Sequence, residues 1–82
     1  MAEMSAWRTN DVVAFDVMRE AATTLTALLV NAARSALDPQ TARGELAQLR
    51  RDVLAVDAYD RAAVAALASR VNVRIRQLSG EF

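Results

Sequence analysis

The sequence predicts an all-α protein: three helices with a long first one, arranged as an antiparallel bundle that self-association or a partner would complete. Three observations carry this. The 82 residues contain one proline and two glycines, so few positions break a helix. Alanine, leucine and arginine dominate, and no stretch sustains the apolar/polar alternation of a strand. Apolar residues instead recur every three or four positions, the spacing that lines one face of a helix.

Helix 1 is expected over residues 11–36. Phe15, Met18, Ala22, Leu25, Leu29, Ala32 and Ala36 follow one another at alternating steps of three and four, a heptad seam. A second stripe of Val17, Ala21 and Leu28 lies beside the first and widens the apolar arc, so this helix needs two neighbours. Asp38-Pro39 is the clearest punctuation: Asp caps the free amides of a first turn, and proline fits the first helical position. Helix 2 follows over 39–56, with Leu46, Leu49 and Val53 continuing from Ala42 to Val56. A second break falls at Asp57-Ala58-Tyr59-Asp60, where Asp57 is placed to cap and Asp60 imitates a capping box. Helix 3 is then expected over 58–79, with the narrower stripe Val64, Leu67, Val71, Ile75 and Leu78, and Gly80 as its C-cap. Gly44 sits awkwardly within helix 2. It implies either a later helix start or a close backbone contact with a partner.

No linker or repeat divides the chain, and it reads as a single helical domain. The apolar class is 54 %, yet 18 of its members are alanine, which leaves a thin core for a fold this small. Helix 1, at roughly 40 Å, outreaches helices 2 and 3. A second copy or a partner is the natural cover for its surplus apolar surface, with Trp7 and the N-terminal segment folding back as the alternative.

Composition excludes much chemistry. Without cysteine there is no disulfide, thiolate nucleophile or zinc finger; without histidine the usual acid–base residue near neutral pH is gone. All ten basic residues are arginine, which removes Schiff-base chemistry but keeps bidentate recognition of carboxylates and phosphates. No cofactor, metal or catalytic residue is expected. Asp16 and Glu20, one turn apart on helix 1, read as a solvated face and not as metal ligands. Formal net charge is zero, a weak starting point for a nucleic-acid binder. The longest uncharged stretch, Ala21 to Ala33, is too short and polar to span a bilayer. The first eight residues lack the pattern of a secretory signal, and a cytoplasmic protein is expected.

The candidate partner-binding residues are Trp7, Val17, Leu28, Arg70, Arg74 and Arg76. Trp7 precedes helix 1 as a staple on its first turn or an anchor for a partner. Arg70 and Arg74, one turn apart, form a positive strip with Arg76, unless they merely complement the dipole of the helix C-terminus. Thr23, Thr24 and Thr26 either fix register across helices or bond back to their own preceding turn. The function expected is that of a small non-enzymatic protein-interaction module: a subunit, adaptor or antitoxin-like inhibitor that binds itself or a larger protein. A dimeric DNA-binding regulator is the alternative, and a bundle enzyme using Arg and carboxylates is third.

Overall fold

A computed structural model describes residues 2–35 and 38–80, with side chains described from residue 11 onward. The chain forms three helices, α1 (Ala2–Ser35), α2 (Pro39–Ala55) and α3 (Arg61–Ser79). All three meet in an all-α bundle. Helix α1 packs along both α2 and α3, whereas α2 and α3 barely approach each other. The molecule is therefore a slab, 55 × 25 × 16 Å, two helical layers thick. Its long axis is α1, whose 34 residues rise about 51 Å.

Helix α1 starts earlier than its seam implies. The helix start expected at residue 11 is not observed: α1 runs through it, and the Asp11 carboxylate accepts from Arg61 Nε at 2.6 Å. With no breaker among residues 2–10 and good helix formers such as Ala, Met and Arg there, the helix runs on toward the N-terminus. Trp7 thus lies within α1, not ahead of it; its side chain is outside the described residues. So is Ala36, the expected last residue of the helix.

Asp38 caps α2 as its sequence suggests. Its carboxylate accepts from the Gln40 amide at 3.2 Å and from the Thr41 hydroxyl at 2.7 Å, with Pro39 opening the helix. The Thr41 hydroxyl bond, helped by the backbone amides, holds the Asp38 carboxyl below its usual range. Helix α2 closes at Ala55, one residue short of expectation, with Val56 as its C-cap.

The turn into α3 differs from the expected capping box. Asp57 makes an Asx turn, its carboxylate accepting from the Tyr59 amide at 2.9 Å. Asp60 is the N-cap, accepting from the Ala63 amide at 3.0 Å, so α3 begins at Arg61 and not at Ala58. Both Asp residues find a local bond, and the second wins because its bond reaches the third helical amide. At the far end Gly80 adopts φ 72°, and its amide donates to the Arg76 and Gln77 carbonyls.

The core is apolar throughout. Met18, Ala22, Leu25 and Leu29 of α1 are buried with Ala42 and Leu49 of α2 and Val64, Leu67 and Val71 of α3. Phe15, Leu46, Val53, Ile75 and Leu78 are half-buried against this cluster. No buried side-chain polar atom lacks a hydrogen-bond partner among the described residues. Thr23, Thr24 and Thr26 bond back to the carbonyls of Arg19, Glu20 and Ala22, so their hydroxyls are satisfied within α1.

Gly44 lies inside α2, which removes the later-start reading. A β-carbon added there meets nothing within 4 Å, so no close approach within the chain requires glycine. Gly44→Ala should stabilise the protein by about 0.5–1 kcal/mol, read as a raised midpoint in urea. A loss of stability would mean that position 44 is covered by something outside the single chain.

Candidate interaction surface

The arginines of α3 divide into two groups. Arg74 reaches across to α2 and grips Glu45 with two donors, Nε to Oε2 at 2.7 Å and Nη2 to Oε1 at 2.9 Å, while Nη1 donates to Gln77 at 3.2 Å. The Glu45 hydrogen bond raises the guanidinium pKa, partly offset by desolvation. Arg70 stands 3.8 Å from Asp52 and stays largely exposed. These pairs bridge the gap between α2 and α3, over a space of about 230 Å³ floored by Leu25, Leu49, Leu67 and Val71. Arg74 is thus engaged within the fold, whereas Arg70 keeps most of its side chain in solvent. Arg76, in the last turn of α3, has no ion pair among the described residues.

On the opposite edge of α3 the surface is apolar. Helices α1 and α3 run parallel, with the start of α3 level with Asp11 of α1, where Asp11 meets Arg61. Between them lies a groove of about 500 Å³, lined by Ala14 and Val17 of α1, by Val64, Ala65 and Ala68 of α3, by Ala58 before it and by the Asp11–Arg61 pair. Alanine makes the groove: three small side chains on the α3 wall and the turn before it leave room that larger ones would fill. Val17 is 57 % exposed on its rim, and Val13, one turn earlier on α1, is also exposed. Ala21 and Leu28, the rest of the second stripe of α1, are half-buried along the same side.

Of the six residues singled out by sequence, the structure thus places Val17 in the groove, with Leu28 half-buried further along the same side of α1. Arg76 is exposed in the last turn of α3. Arg70 and Arg74 face the other edge, and Trp7 lies outside the described side chains. The groove's alanine wall was not singled out, since Ala65 and Ala68 look like ordinary helix filler; their spacing of three was the available signal. The cross-helix pairs Arg61–Asp11 and Arg74–Glu45 had no signal, because each partner lies on a different helix.

Among the described residues no cluster of acidic side chains could hold a metal, and no helix is long and apolar enough to cross a membrane. Asp16 and Glu20 are exposed on the back of α1, without ion-pair partners among the described residues. Compared with known protein families, curated proteins and solved structures, the chain matches none.

Proposed function

We propose that this chain is a non-enzymatic protein-interaction module whose docking surface is the groove between α1 and α3. The observation that supports it is an apolar cleft left open to solvent in a protein with a small core. Val17 stands exposed at its rim while nine apolar residues make the entire buried interior of the described chain. A groove between two parallel helices, walled by alanine, has the shape that accepts the apolar face of another helix. Concentrated apolar exposure of this kind marks contact surfaces more often than it marks idle ones.

Ala65→Arg tests this reading. Ala65 is exposed and lines the groove, so the variant should keep the helical circular-dichroism signal and melting temperature of the wild type. Complexes isolated from cells at near-physiological salt after nuclease treatment, then weighed by native mass spectrometry, should contain a stoichiometric protein partner or second copy with the wild type and lose it with the variant. A wild-type chain that binds no protein of either kind, or a variant that keeps the complex, would overturn the assignment.

A further inference from the structure

We infer that the edge between α1 and α2 binds an acidic amphipathic helix of another protein, one that carries carboxylates seven residues apart with an apolar residue between them. This surface is separate from the α1–α3 groove and does not depend on it.

The other two helix junctions pair their charges within the chain. Asp11 meets Arg61 between α1 and α3, and Glu45 and Asp52 meet Arg74 and Arg70 between α2 and α3. The α1–α2 junction breaks that pattern. Arg34 of α1 and Arg43 of α2 line one open space of about 480 Å³ with Val30, Ala33 and Leu46, and among the described residues no carboxylate lines it. Arg50 lies seven residues beyond Arg43, two helical turns and about 10 Å further along the same face of α2. All three arginines are exposed, and none has an ion pair among the described residues.

On α2 the order is Arg43, Leu46, Arg50, at steps of three and four, with Leu46 half-buried between the two charges. Val30 of α1 is exposed and lines the same cleft. The surface is an apolar floor with arginine at either end along α2 and Arg34 on the α1 wall. A helix laid along it presents the complement at the same steps, carboxylate, apolar residue, carboxylate, as the charges flanking a coiled-coil seam do. Arginine suits the role because its planar fork takes a carboxylate by two parallel bonds.

A second copy does not supply that complement. Among its described residues Glu45 and Asp52 have the spacing but already face Arg74 and Arg70, while the unpaired Asp16 and Glu20, one turn apart, span only about 6 Å. A phosphate backbone would match the charge and leave Val30 and Leu46 uncovered. A small anion would not reach both Arg43 and Arg50.

The probe is a fluorescein-labelled, alanine-based helical peptide in which Glu, Leu and Glu follow at steps of three and four, titrated with the full chain and read by fluorescence anisotropy at near-physiological salt. Wild type should bind it saturably, with affinity that falls as salt rises. Arg43→Glu with Arg50→Glu should weaken binding by at least about tenfold, since like charges then meet at both ends. Both positions are exposed, so circular dichroism should show unchanged helix. A peptide with Lys in place of both Glu should reverse the preference, binding the double variant and not the wild type. Ala65→Arg should bind the Glu peptide as the wild type does, because Ala65 lines the other groove. Absence of saturable binding to the wild type overturns the inference, as does a double variant that keeps wild-type affinity or is not rescued by the Lys peptide. Equal binding of a peptide with the same composition but adjacent Glu residues overturns it too. Loss of binding in Ala65→Arg would place the peptide in the α1–α3 groove, and tighter binding of a short DNA duplex at the same salt would make the arginines a phosphate-binding strip; either result overturns it.

Discussion

Leu29→Asp abolishes the fold. Leu29 is 1 % exposed and lies in the cluster where α1 meets both other helices. A chain of this length is stable by only about 4–12 kcal/mol, at roughly 0.05–0.15 kcal/mol per residue. Removing a buried leucine costs about 2–5 kcal/mol by itself. The carboxylate adds a desolvation cost of several kcal/mol, because among the described residues no polar or charged side chain is buried to pair with it. Protonating the group moves the cost without removing it. The expected result is loss of the helical circular-dichroism signal at 25 °C in the absence of denaturant. Leu54→Asp is the matched control, since Leu54 is 86 % exposed and its replacement should shift stability by no more than about 0.5 kcal/mol. A cooperative Leu29→Asp melt within a few degrees of wild type would show that the face of α1 turned to the core is wrongly assigned.

Met18→Ala has the next largest effect. Met18 is fully buried, at 0 % exposure, and truncation leaves a void that the small neighbour Ala22 does not fill. The loss should be about 2–5 kcal/mol. For a domain of 60–100 residues each kcal/mol is worth about 4–8 °C, so the melting temperature should fall by at least about 8 °C. Met18→Leu preserves volume and should cost less than about 1.5 kcal/mol. If the two substitutions melt alike, packing volume at position 18 is not what holds α1 in place.

Both positions were legible in the sequence, because a seam at steps of three and four specifies which face of a helix is dry before any neighbour is known. The same rule marked Leu25, Leu49, Val64, Leu67 and Val71, all buried. The ends were harder to read. Asp38-Pro39 announced α2 correctly, since cap and proline act within four residues. The start of α1 was placed too late, at residue 11, because the apolar seam begins only at Phe15 while the helix runs from Ala2, and Asp11 answers to Arg61, fifty residues away. Asp57 and Asp60 each offered a cap, and the choice between them is a matter of backbone geometry in the turn. Arg74 looked free for a partner until the fold brought Glu45 to it. The groove was half legible: Val17 and Leu28 declared a second apolar stripe, while the alanines that hollow out the facing wall left no mark of hydrophobicity.

Because α2 and α3 each hold α1 but scarcely hold each other, the order in which the chain assembles is constrained. Pairing α1 with α2 closes a short loop between consecutive helices, whereas seating α3 brings together residues as distant in sequence as Asp11 and Arg61. Loop-closure entropy therefore favours an α1–α2 hairpin as the first organised species, with α3 arriving last and gaining little from α2 beyond the Arg70 and Arg74 bridges. Until α3 arrives, the hairpin shows Met18, Leu25 and Leu29 to solvent along one side. A nascent chain is then at its stickiest while α3 is still to be made.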